Sequence, residues 1–280
     1  LYASAGFQRI FIAAMRLSIC RIAAVILALA GVALSDHVLA APGPITEHQA
    51  GPRGIRYYLA LPAGWKPGGS WPVIVAIPDA AREFEANLRR FVTARGDRPY
   101  ILVAPEVLTC GGARSRTPEH YTYTQAEWMA LRPEDDFRFD DEGLIAVLAE
   151  VHRAWGGAPK ASLTGWEAGG HLVWAEAMRS PERWRAVAPV TTNYQARYLD
   201  PSAFSTAPER ATLPIQVFRC GAASANAAAA MPMLKAQIDR AISDARRHGF
   251  APRPVRVVAG ADHGPLPEAV LAWCDSLPHQ

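Results

Sequence analysis

The chain has 280 residues, half of them hydrophobic and a fifth charged, with a formal net charge of +3. Gly and Pro are spread along it, which excludes a low-complexity, collagen-like or disordered polypeptide. No basic stripe points to nucleic acid.

In chain order, the first feature is a charged stretch from Met15-Arg16 to Arg21, followed by the apolar run Ile22 to Leu34. Its 13 residues are too few for a stable membrane span, which needs about 20, so the segment reads as a secretory signal peptide. Val38-Leu39-Ala40 places small or apolar residues where cleavage after Ala40 requires them. Residues 1–14 precede the expected start at Met15 and read as untranslated. A buried core helix is the weaker reading of the run, because Ala41 to Pro44 follow it directly. The expectation is a leader over residues 1–40, one domain over 41–280, and a secreted or periplasmic protein. Losing Arg9, Arg16, Arg21 and Asp36 with the leader lowers the net charge from +3 to +1.

Seven strands are then expected: Gly54–Leu61, Pro72–Ile77, Tyr100–Ala104, Ala161–Thr164, Ala186–Val190, Ile215–Phe218 and Val255–Val258. Most are short and apolar on both faces, as in a parallel sheet covered on both sides. Helical stripes alternate with them. Leu144, Val147, Leu148, Val151 and Trp155 mark one behind an acidic start at Asp140-Asp141-Glu142. Leu234, Ile238, Ala241, Ile242 and Ala245 mark another, stopped at Gly249. A last helix starts near Pro267. The alternation predicts a mainly parallel, doubly wound α/β fold. Two long connections, 105–139 and 191–213, leave the carboxyl ends of strands and would roof a site there. Their Tyr121, Tyr123, Trp128, Tyr194, Tyr198 and Phe204 either face a ligand or pack the loops. Cys110 and Cys220 both follow strands and would either pair or, with Cys274, be small buried hydrophobes.

The most informative stretch is Leu163-Thr164-Gly165-Trp166-Glu167-Ala168-Gly169-Gly170-His171. It joins a strand to a helix with glycines two before and two after Glu167, the spacing of a strained turn that lifts one side chain off the sheet. A later strand ends in Ala259-Gly260-Ala261-Asp262-His263-Gly264. With Ala188 to Tyr194, the pattern resembles the secreted esterase and polyhydroxybutyrate-depolymerase-like members of the α/β-hydrolase superfamily, and the order of elements from about Gly54 to Leu277 does too.

The resemblance implies roles for single residues. Glu167 stands where those proteins carry the nucleophilic serine, and His263 matches their general base. Ser224, in Gly221-Ala222-Ala223-Ser224, falls at the acid's position, with Glu142, Asp200 or Asp262 as substitutes through space. The oxyanion hole would come from backbone N–H groups of Ala168 and of the loop Pro78-Asp79-Ala80, where Pro78 has no N–H and Asp79 brings negative charge that Arg82 would offset. Asp79, Trp166 and Tyr194 are pocket candidates.

Three functional readings follow. The departures at Glu167, Ser224 and Pro78-Asp79 favour a weakly active or non-catalytic protein that retains a pocket for a small-molecule or polyester-like ligand. Alternatively Glu167 acts as a carboxylate nucleophile or water-activating base assisted by His263. A divalent-metal set of Asp79, Glu167 and His263 is the minor reading; otherwise neither metal nor cofactor is expected. Without chemistry, Glu167 would bond the N–H groups at the helix start. His171 is expected to be structural. Nothing in the sequence sets the oligomeric state.

Overall fold

A computed structural model describes residues 43–110, 121–131, 135–221 and 225–278. The leader, its cleavage site and Ser224 lie outside the described residues.

Among the described residues eight strands form one sheet: β1 (Ile45–Ala50), β2 (Ile55–Ala60), β3 (Val73–Ile77), β4 (Ile101–Pro105), β5 (Ala161–Glu167), β6 (Trp184–Thr192), β7 (Phe218–Cys220) and β8 (Arg256–Val258). Their spatial order is β1-β2-β4-β3-β5-β6-β7-β8. β1 and β2 run antiparallel to their neighbours, and β3 to β8 are mutually parallel. Six helices accompany them: α1 (Phe84–Arg95), α2 (Gln125–Leu131), α3 (Asp136–Trp155), α4 (Gly170–Arg179), α5 (Ala225–Arg247) and α6 (Pro267–Asp275).

The two-residue period of the central strands divides the core. Val73, Val75 and Ile77 of β3, with Ile101 and Val103 of β4, join the layer that includes Leu144, Val147 and Val151 of α3 and Ile238, Ala241 and Ile242 of α5. Ile74 and Ala76, with Leu102 and Ala104, join the opposite layer with Leu88 and Phe91 of α1 and Val270 and Leu271 of α6. Apolar burial on both faces of β3 and β4 is why they read as unbroken hydrophobic runs.

Two strands depart from expectation. The strand expected over Ile215–Phe218 is displaced: Ile215 makes only an isolated bridge to Val187, and the regular ladder starts at Phe218, paired to Val190 and to β8. β1 was not expected, because Ile-Thr-Glu-His-Gln-Ala is an edge strand with mostly exposed or half-exposed side chains and no apolar run. Disulfide pairing between Cys110 and Cys220 is not formed; Cys110, Cys220 and Cys274 are free and buried. The sheet itself separates the pair, since Cys110 belongs to the α3 layer and Cys220 to the α6 layer.

Candidate functional site at the carboxyl edge of the sheet

β5 ends in Gly165-Trp166-Glu167 and α4 begins at Gly170. Glu167 itself takes the left-handed backbone, with φ of 46°, a conformation that costs a non-glycine residue about 1–3 kcal/mol. The flanking glycines do a different job from the one their spacing suggests. Neither has positive φ; they admit close approach. A Cβ at Gly169 would lie 2.3 Å from the Pro78 carbonyl oxygen, and one at Gly165 would lie 2.8 Å from Val173 Cγ2. The turn is therefore pressed against the end of β3, its neighbour in the sheet, with Ile77 paired to Gly165. Asn193 N–H donates to the Glu167 carbonyl at 2.8 Å and ties the turn to the end of β6.

That packing brings the turn at Glu167 close to the turn after β3. The half-buried carboxyl of Glu167 is within hydrogen-bonding reach of Asp79, two residues beyond β3. Two ionised carboxylates repel, so their nearness favours the protonated form. Burial, then the charge and hydrogen bond of Asp79, push Glu167 above the usual carboxylate range. Burial also raises Asp79, opposed by N–H groups of Ala81 and of Asp79 itself. Arg82, expected to offset this charge, has φ of 57° and its guanidinium lies 5.8 Å from the Tyr121 ring centroid. Arg90 is the cation that acts on Asp79.

Among the described residues no hydrogen bond joins Glu167 to His263 or to a backbone N–H. His263 instead stands edge-on to the Trp166 ring, 5.0 Å between centroids, with Cys220, the last residue of β7, nearby. Its Nδ1 is buried with no hydrogen-bond partner among the described residues. Contact with Cys220 raises the histidine above its ordinary value; burial opposes this, and Asp79 and Asp262 add to it. Burial alone would raise the Cys220 thiol, but His263 and Thr191 outweigh it and the thiol is lowered.

Of the oxyanion candidates, Ala168 is buried and Ala80 exposed. Among the described residues neither N–H is taken by another group. The substitute acids are engaged elsewhere: Glu142 with Arg53, Asp200 with Ser202 N–H at 2.8 Å, and Asp262 with the His263 N–H at 2.9 Å. Tyr194 is not a pocket residue. It is 1% exposed, its hydroxyl donates to Asp244 at 2.8 Å, and its ring packs edge-on to Trp174. Tyr121, Tyr123 and Trp128 are likewise buried. His171 is structural: buried, with burial lowering it to about 4.

The two long connections do converge. Residues from both, including Phe137, Arg138 and Tyr198, line a depression of about 510 Å³ together with Arg179 of α4, but Glu167, Asp79 and His263 do not. Among the described residues no three His, Cys, Asp or Glu side chains are grouped to hold a metal ion. As neighbours of the site, Cys220 and Thr191 escaped the sequence reading. The only signal was a cysteine at the end of the strand that should carry the acid.

No protein-family model matches the chain, and no curated protein matches it. Solved structures similar in fold include the following three. Poly(aspartic acid) hydrolase-1 from Sphingomonas sp. KT-1 is 14% identical with a TM-score of 0.54, over 82% of this chain and 97% of that one. Esterase 2 of Thermogutta terrifontis, phosphorylated by paraoxon, is 19% identical with a TM-score of 0.53, over 84% and 92%. Poly(3-hydroxybutyrate) depolymerase from Bordetella parapertussis is 20% identical with a TM-score of 0.50, over 80% and 83%. With the strand order above, these likenesses establish an α/β-hydrolase fold.

Proposed function

We propose that this chain is a secreted or periplasmic hydrolase-fold protein that does not turn over esters at its elbow and keeps the carboxyl edge of the sheet for binding a small-molecule or polyester-like ligand. What carries the reading is the setting of Glu167: its carboxyl is half-buried and under the influence of Asp79, and among the described residues no hydrogen bond joins it to His263. In the esterase-like resemblance, residue 167 would be the nucleophile and His263 its base. A carboxyl that shares a proton with a second carboxyl is a poor nucleophile, and attack on an ester carbonyl would give an anhydride. Among the described residues the buried His263 Nδ1 has no hydrogen-bond partner. Asp79 also places a carboxyl beside the N–H groups that an oxyanion would need. Hydrolysis of a short-chain nitrophenyl ester tests this. The purified protein is expected to be no faster than Glu167→Gln; a rate that Glu167→Gln abolishes would overturn the reading.

The same pair favours a second reading, in which one carboxyl holds the proton and the other activates water. Exposure to reactive halides, epoxides and esters separates it from covalent catalysis. A mass adduct on Glu167 would mark a nucleophile; turnover without an adduct, lost in both Glu167→Gln and Asp79→Asn, would mark a water-activating pair. The leader is proposed to be removed after Ala40, and N-terminal sequencing of the exported protein checks it.

A further inference from the structure

β4, β3, β5 and β6 are parallel neighbours, so their amino ends meet on one edge of the sheet, opposite the edge that carries Glu167, Asp79 and His263. Residues at those four ends line one cavity of about 630 Å³: Pro72 just before β3, Tyr100 just before β4, Lys160 just before β5, and Arg185, the second residue of β6. It is larger than the depression lined by the two long connections. Pro99 and Pro159 add two more rigid rings to the walls, so the space is set in shape before anything enters it and little freedom is lost on binding. A cavity of this size, walled by apolar groups with a few polar ones among them, is the usual form of a small-molecule site.

The polar groups set the kind of ligand. Lys160 is half-buried, and among the described residues its ammonium has neither a hydrogen bond nor an ion pair. Arg185 is half-buried too and is held through Nη2 alone, which donates to the carbonyls of Pro278 at 3.1 Å and Leu277 at 3.5 Å. Asp275, the acid on the lining, is already engaged: it accepts from Arg98 Nε at 2.6 Å and from the Tyr100 hydroxyl at 2.8 Å. Two cations thus face the cavity without a carboxylate of their own. We propose that this cavity binds a small organic monoanion, its carboxylate against Lys160 and Arg185 and its apolar body between the proline rings and Tyr100. A charge-assisted contact to each cation fixes the head. Asp275 lines the same space, so a doubly charged head such as a phosphate is repelled more than a carboxylate.

The inference concerns the opposite edge of the sheet from the elbow and does not depend on the proposed function. The test is calorimetric titration of the full chain with phenylacetate, with phenylethanol as the same body without the charge and acetate as the charge without the body. Saturable binding of phenylacetate is expected, at least about tenfold weaker for phenylethanol and in Lys160→Gln, and unmeasurable for acetate. Pro159→Trp, which fills the space, should abolish it, and Glu167→Gln should leave it unchanged. Absence of saturable binding, equal affinity for phenylethanol, or an unchanged affinity in folded Lys160→Gln would overturn the proposal. If the variants do not fold, amide shifts of the unsubstituted chain on adding phenylacetate decide. Shifts centred on Tyr100, Lys160 and Arg185 support the cavity; shifts confined to Glu167, Ala168 and His263 overturn it and place the ligand at the elbow. Ester turnover lost in Glu167→Gln, with phenylacetate bound as expected, would sink the proposed function alone.

Discussion

Glu167 holds a left-handed backbone that glycine adopts without cost, and holds it beside a second carboxyl. Both are local penalties, and they fall on one residue. Glu167→Gly removes both, so it is expected to raise stability by about 1 kcal/mol in urea denaturation. A lower stability would mean that the Asp79 contact is net favourable. Gly169 has the opposite sensitivity. Its absent Cβ leaves room for the Pro78 carbonyl, which would lie 2.3 Å from the added atom. Gly169→Ala must therefore displace the turn after β3, and it should lower stability by about 1–3 kcal/mol while altering the Asp79 environment. Ala at 169 without either change would contradict the close packing.

At the scale of elements, the segment leaving β4 is held by one buried side chain. Asp140, on the first turns of α3 and 0% exposed, accepts from Leu108 N–H at 2.7 Å, Thr109 N–H at 2.8 Å and Thr109 Oγ1 at 2.6 Å. Burial pushes it up to about 7 in spite of those donors. A carboxyl raised above its unfolded value of about 3.9 keeps its proton in the folded chain after the unfolded chain has released it. Its contribution is fully present below that unfolded value and is lost as the pH climbs to about 7. Urea denaturation at about pH 5 and about pH 8 should therefore show the native chain losing stability relative to Asp140→Asn, which cannot ionise. Parallel behaviour of the two chains would remove the raised carboxyl from the account. The Asp140 contacts also show what the sequence could carry. Asp140 was legible as an acidic helix start, a surface role; in the structure α3 begins at Asp136 with Asp135 as its cap, and the buried turn of the helix faces the loop.

Across the whole molecule, the central strands were legible because burial on both faces leaves an apolar run in the sequence. β1 was not, since an edge strand needs no such run, and β7 was displaced by its irregular pairing with β6. The site divides in the same way. The strand-to-helix turn at Glu167 and the place of His263 beyond β8 were legible from glycine spacing and from position after a strand, which are local signals. Their neighbours were not, because Asp79 and Cys220 are 88 and 43 positions away from Glu167 and His263, and the sheet order, not the spacing, brings them together. Asp79 was recognised as a disturbance of the oxyanion loop and, in the minor metal-set reading, as a companion of Glu167 and His263; Cys220 was recognised as a disulfide candidate. The layering predicts a gradient in native-state hydrogen exchange, with amides of β3, β4, β5 and β6 the slowest and those of Ile45–Ala50 opening at lower free energy. Equal protection of β1 and β3 would contradict the edge placement.

The most direct test of the central claim, that Glu167 is paired with Asp79 and not with His263, is a carboxyl carbon NMR titration of the full chain, of Asp79→Asn and of His263→Gln. Glu167 is expected to titrate above about 4.3 in the unsubstituted protein, to fall in Asp79→Asn, and to stay in place in His263→Gln. A Glu167 midpoint that ignores Asp79→Asn and moves in His263→Gln would restore the histidine as its partner and contradict the account.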